Sequence, residues 1–272
     1  MRRLMIIGCV SVCVAVTAAH AQAQVGSAAI SFADGRADLW PRGHVGMELG
    51  IHTQEDFTAE SFLVGGWYRV APAFALELAL GFFNASSRAS SEGTPANPFL
   101  GAYYVSAHGR TMVRVGAGIA IGVANEDSPL LLHWLMRGLR DLWMLLPHSF
   151  NLVPRFRLDT IVSRGVTLGI DADLGFHDPT EGGDWEITGQ TGFDVTGRIG
   201  SSFELGLRLQ LGMWLTGEGD DVVQTSAVPF VRALFGPGYA ELRLLMNLDE
   251  PAGFAFDRGK FWMLTLGGGA RF

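Results

Sequence analysis

Cysteine is almost absent from this 272-residue chain, and its two copies, Cys9 and Cys13, lie close to the start. Beyond Cys13 neither disulfides nor thiolate chemistry can contribute. Charge is scarce, at 17% of residues, and leans acidic, with 27 Asp and Glu against 20 Lys and Arg. That balance argues against nucleic acid as a partner, since a phosphate backbone is held by surplus positive charge. Long apolar runs are also missing. After the opening segment no stretch of about 18 uncharged apolar residues occurs, which excludes transmembrane helices.

What is present is unusual for a water-soluble protein: 48% hydrophobic residues and 36 glycines. From Gly43 onward the apolar residues alternate with polar ones in runs separated by turn residues. The candidate strands are 43–53, 61–70, 73–83, 98–107, 111–124, 149–161, 165–176, 184–199, 202–215, 224–235, 238–248 and 260–272. That makes twelve, each long enough for the roughly 9 to 11 residues of a tilted membrane strand. Their connections alternate between short ones, such as His108-Gly109-Arg110 and Gly236-Pro237-Gly238, and long polar ones, such as 84–97 and 177–183.

The last stretch, Lys260 to Phe272, places Trp262, Leu264, Leu266, Gly268, Ala270 and Phe272 on one face of a strand. An apolar terminal strand is an aggregation hazard unless another strand covers its edge, and closure into a barrel removes the edge. This stretch resembles the closing strand of bacterial outer-membrane β-barrels, whose members commonly end in Phe at the periplasmic side. The resemblance implies an all-β fold, a transmembrane antiparallel β-barrel of about twelve strands, with Phe272 as a barrel-closing and assembly signal. It also implies outer-membrane lipid and lipopolysaccharide, the barrel assembly machinery and periplasmic chaperones as partners. No cofactor and no metal site is expected.

Met1 to Ala23 reads as a signal peptide: Arg2 and Arg3, an apolar core from Leu4 to Ala18, then a small-x-small cleavage site. Without it the formal charge moves from −7 to −9, because two arginines are lost and no acid is. Residues 24–42, which carry Asp34, Arg36, Asp38 and Pro41, suit a periplasmic tail, and 43–272 forms the barrel.

The direction of the charges is the sharper observation. Val113, Val115, Ala117, Ile119, Ile121 and Val123 share one strand face, as do Phe203, Leu205, Leu207, Leu209, Leu211 and Met213. These faces suit lipid. The opposite faces of all strands carry nine acids, Glu48, Glu77, Asp159, Asp171, Asp173, Glu186, Asp194, Glu204 and Glu241. They also carry nine arginines, Arg69, Arg114, Arg155, Arg157, Arg198, Arg208, Arg232, Arg243 and Arg271. Arg114, Arg155, Arg157, Asp171, Asp173, Asp194 and Arg208 are the expected lumen lining. Paired, such groups form a lattice that fills the barrel; held apart, they make a constriction. Interior glycines such as Gly46, Gly116, Gly118, Gly206 and Gly212 could leave room for water.

Residues 128–147 break the strand pattern. Pro129 suits a first helical turn, and Leu131, Leu135, Leu139, Leu142 and Leu146 recur at helical spacing. The expectation is one amphipathic helix in an extracellular loop, with Leu131, Trp134, Leu135, Leu139, Leu142 and Trp143 toward the membrane interface. An inward-folded plug and a ligand site over the mouth are the competing placements. The outside segments hold sixteen acids, Asp141 among them, against five bases, which include Arg137 and Arg140, and this suggests a cation-attracting rim.

For a catalytic barrel the best bases are His52 with Asp56, and His177 with Asp178 and Asp184; no catalytic residue is assigned. The function expected is therefore a small channel, or a solute- or lipid-handling conduit, with an Arg and carboxylate lumen. A closed barrel acting through its loops as adhesin, receptor or surface enzyme is the alternative.

Overall fold

The computed structural model describes residues 40–54, 57–87, 91–125, 137–180, 184–216, 222–250, 252 and 262–272. The expected signal peptide and residues 24–39 of the expected tail lie outside them.

Alternating side chains and punctuating turns produce long antiparallel strands: β1 (Gly43–Gln54), β2 (Phe57–Ala71), β3 (Phe74–Ser87), β4 (Ser91–Pro95), β5 (Phe99–His108), β6 (Thr111–Ile121), β7 (Ser149–Ser163), β8 (Val166–Pro179), β9 (Glu186–Ile199), β10 (Phe203–Trp214), β11 (Val222–Phe235), β12 (Gly238–Asn247) and β13 (Trp262–Arg271). Leaving β4 aside, each pairs with its neighbour in sequence, β3 with β5 included, and β1 pairs with both β2 and β13, so twelve strands close into a ring. The thirteenth, β4, is a short extension hydrogen-bonded to the upper part of β3, in a segment expected to be loop. Closure reaches the last residue: Gly43 N donates to Phe272 O at 2.7 Å and Phe272 N to Gly43 O at 3.1 Å. Phe272 thus seals the seam through its backbone and leaves its ring exposed.

Five short turns sit at one end, and the two-residue connection from β1 to β2 lies at the other. Four of the five hold a glycine at positive φ, Gly109, Gly165, Gly200 and Gly236, a conformation that lets two strands reverse tightly without a Cβ clash. In barrels of this kind the short turns face the periplasm.

The strand faces are sorted as the alternation requires. Outside stand Leu76, Leu78, Leu80, Leu100, Val115, Ile119, Ile170, Leu174, Leu205, Leu207, Leu209, Leu264 and Leu266, all exposed large hydrophobics. Inside stand charged, amide and hydroxyl side chains, including Asp159, Asp171, Asp173, Gln190, Asp194, Gln210, Gln224 and Glu241, all buried. This is the inverse of a soluble protein and is stable only where hydrocarbon surrounds the wall. An arginine in place of Leu207, on the outer face of β10, is expected to lower stability by ~2–4 kcal/mol in lipid if that position lies at mid-membrane. Unfolding by denaturant from lipid vesicles measures this, and a change below half a kcal/mol would mean that this face does not meet lipid.

The interior glycines do not all leave open space. A Cβ at Gly118 would fall 2.1 Å from the Phe99 ring, and one at Gly206 would fall 2.1 Å from the Phe230 ring. Rings from adjacent strands already lie over these positions.

Candidate functional site

The wall encloses a cavity of about 1630 Å³. Its lining runs from the periplasmic turns, at Pro72, Gly165, Ser201 and Pro237, up to Arg137, Arg140 and Asp141 in the connection between β6 and β7. Seventeen of the eighteen charges expected on the inner face line it, including all seven residues Arg114, Arg155, Arg157, Asp171, Asp173, Asp194 and Arg208. The exception is Glu186, which sits near the opposite rim and accepts hydrogen bonds from Trp214 Nε1 at 2.5 Å and Thr216 Oγ1 at 2.8 Å.

Strand register creates the pairing. Arg157 lies directly opposite Asp171, Arg155 opposite Asp173, Arg208 opposite Asp194 and Arg232 opposite both Glu204 and Glu241. On the β7–β10 side Asp171 is the hub: Arg208 approaches at 2.5 Å, Arg140 at 3.3 Å and Arg157 at 3.6 Å. Arg157 also meets Asp159 at 2.6 Å and Asp194 at 3.1 Å. Arg155 joins Asp173 and Glu77, each at 3.1 Å. Around the seam, Glu241 binds Arg232 and Arg243, Arg243 reaches Glu48 at 3.2 Å, and Arg232 reaches Glu204 at 2.6 Å.

The two halves meet through the β6–β7 connection. Arg137 bonds Glu48 at 3.2 Å and Asp141 at 3.0 Å, while Asp141 lies 3.9 Å from Arg155. Burial disfavours the charge of Asp141, but Arg137, Arg140 and Arg155 outweigh it and hold its carboxyl well below the usual carboxylate range. Its contribution to docking the loop is therefore complete at neutral pH and is lost only in strong acid.

This placement corrects the expected extracellular helix. Residues 126–136, with Leu131, Trp134 and Leu135, lie outside the described residues. From Arg137 to His148 the chain forms a folded loop whose one helical element is a three-residue 3-10 turn, Leu142–Met144. Leu139, Leu142 and Trp143 do not face a membrane interface. With Met144 and Leu145 they are buried against inner-face residues Leu63, Phe83, Phe99, Ala120 and Val153. Helical spacing had a second reading, because an apolar loop packed in a barrel also buries most of its leucines. Arg137, Arg140 and Asp141 belong to the lumen and not to an outer rim.

The loop crosses the lumen from wall to wall. On one side Asn97, 1% exposed between β4 and β5, fastens it. Its amide donates to Trp143 O at 2.9 Å and Leu146 O at 2.7 Å, and its Oδ1 accepts from Val123 N at 2.8 Å and Ala124 N at 3.0 Å. On the far side Arg140 reaches Gln210 at 3.1 Å, and the Gly138 carbonyl comes 2.5 Å from where a Gly212 Cβ would stand, so only glycine at 212 admits this contact. Leu139, Asp141 and His148 adopt left-handed backbone at φ 56, 56 and 42. Such strain, ~1–3 kcal/mol at each non-glycine position, survives only where surroundings enforce it.

Of the two expected histidine bases, His177 is buried with Nδ1 2.6 Å from Asn151 Oδ1 and Nε2 2.8 Å from Thr188 Oγ1, so both nitrogens are engaged. His52 is buried with Nδ1 2.5 Å from the Trp262 carbonyl, and Asp56 lies outside the described residues. Among the described residues no group of three or more His, Cys, Asp or Glu is placed to hold a metal.

No protein-family model and no curated protein sequence matches the chain. Solved structures do match. The chain is similar to an outer membrane channel from Pseudomonas putida F1, with a TM-score of 0.59 and 11% identity over 86% of this chain and 96% of that one. It is similar to the NanC porin, with a TM-score of 0.53 and 9% identity over 84% and 98% of the two chains. The KdgM porin gives a TM-score of 0.52 and 9% identity over 84% and 99%. At such identities the likeness is one of fold: the chain folds as a bacterial outer-membrane β-barrel, closed by twelve antiparallel strands.

Proposed function

We propose that this protein is a gated outer-membrane channel for small anionic solutes, with the loop Arg137–His148 as its gate. One observation carries the reading. Twelve arginines and nine side-chain carboxylates line the cavity, and its upper end is the loop that crosses the barrel. A surplus of fixed positive charge in a low-dielectric tube attracts anions and repels cations. The lattice gives this surplus a rigid form, since paired arginines hold their planes in place along the wall. The fold neighbours named as porins and channels support a conducting role.

The ion preference is the opposite of the one an acidic outer rim would impose, and so it discriminates between the two. In planar bilayers under a tenfold KCl gradient, the refolded chain is expected to reverse at the sign set by chloride. A reversal potential of the cation-selective sign, or no current from protein shown to be inserted, would contradict the reading.

A further inference from the structure

Arg114 stands apart from the lattice. It lies on β6 directly opposite Arg157, and like charges so placed repel. Arg157 is neutralised by Asp159 and Asp194. Arg114 makes no ion pair and no hydrogen bond among the described residues, and its Nε is buried without a partner. Its guanidinium instead stacks on the Trp67 ring, 4.8 Å from the centroid. Face-on stacking satisfies the π surface and leaves the in-plane N–H groups, the part that grips a carboxylate, unengaged.

The wall nearest Arg114 is aromatic, with the Asp159 and Glu77 carboxylates beyond ion-pair distance. Trp40, Trp67, Tyr103 and Met112 line the cavity beside Arg114 and belong to a single apolar cluster. One further polar atom in that cluster, Trp40 Nε1, is buried without a partner, while the Tyr103 hydroxyl turns toward Glu77 and Arg155. A buried hydrogen-bonding group left without a partner is costly, and an unpaired buried charge more so. An unpaired cation beside one unpaired indole N–H on an aromatic wall describes a binding site for an anion with an apolar, flat body.

We propose that Arg114, stacked on Trp67 and flanked by Trp40 and Tyr103, is a carboxylate-binding site in the periplasmic half of the lumen, selective for small aromatic carboxylates over inorganic anions. This rests on the anion-channel reading and names the solute class.

The test is equilibrium dialysis of the full mature chain, refolded in detergent, against labelled benzoate, with benzamide as a neutral molecule of the same shape. Benzoate is expected to bind saturably and benzamide at least tenfold more weakly. Arg114→Met, with folding checked by heat-modifiable migration, is expected to weaken benzoate at least tenfold. Arg114→Lys, which keeps the charge but loses the planar fork, should fall between the two. Benzoate bound no better than benzamide, or bound equally well by folded Arg114→Met, would overturn the site. Because binding is read without a membrane, the two readings separate. A chain that conducts anions yet fails here loses only the site, and one that binds benzoate but passes no current loses only the channel.

Discussion

Replacing Asn97 with alanine is expected to raise the fraction of time the barrel conducts by tenfold or more. Asn97 uses its whole side-chain hydrogen-bonding capacity at one buried point, with two bonds from Val123 and Ala124 just past β6 and two to the loop carbonyls of Trp143 and Leu146. Alanine removes all four. Each buried group left without a partner loses ~1–3 kcal/mol in the docked state. Undocked, the same carbonyls meet water, so this penalty falls on the closed arrangement alone. A shift of ~2 kcal/mol multiplies the undocked population roughly thirtyfold. The left-handed residues Leu139 and Asp141 push the same way, because their strain is released when the loop leaves the wall. Single-channel recording measures the open fraction, and traces identical to those of the parent from folded variant would show that Asn97 does not hold the gate.

The second large effect belongs to Asp171. Arg140, Arg157 and Arg208 all converge on this one carboxylate. Alanine there leaves three guanidinium groups facing one another with their shared counter-charge gone. Breaking a buried ion pair by removing one partner destabilises by ~3–5 kcal/mol, and lumen water moderates this toward the lower figure. Replacing a buried pair together by apolar groups of similar volume is often neutral. Asp171→Leu combined with Arg208→Met is therefore expected to recover part of the loss, leaving Arg157 to Asp159 and Asp194. Denaturant unfolding from vesicles reads both variants. A single-variant loss below 1 kcal/mol would mean that the lattice contributes little to barrel stability.

The barrel was legible because its physics is written into every strand. A period of two, with charge on one face, leaves lipid outside and the lumen inside as the stable arrangement, and the glycine turns mark where each strand reverses. The pairing of Arg157 with Asp171 or Arg208 with Asp194 follows once register is known. The loop was legible only in part. Its leucines declare burial but not the surface that buries them, and Arg137 and Asp141 become lumen groups only because Glu48 and Arg155, far away in sequence, stand opposite. Asn97 carries no sequence signal at all, since an asparagine before a proline reads as an ordinary turn. Arg114 lines the cavity together with eight other strand arginines. Its isolation depends on which carboxylates its neighbours take, and a face assignment does not contain that information.

The most direct measurement compares single-channel conductance of the refolded chain with that of a chain in which residues 137–146 are replaced by a short Gly-Ser linker. Both are checked for barrel closure by heat-modifiable migration. The parent is predicted to open rarely and the linker variant to conduct steadily, with chloride preferred while Arg114, Arg155, Arg157 and Arg208 still line the wall. Equal conductance in the two folded chains would show that the loop is not the gate. Silence in both would show that the lattice seals the barrel without it.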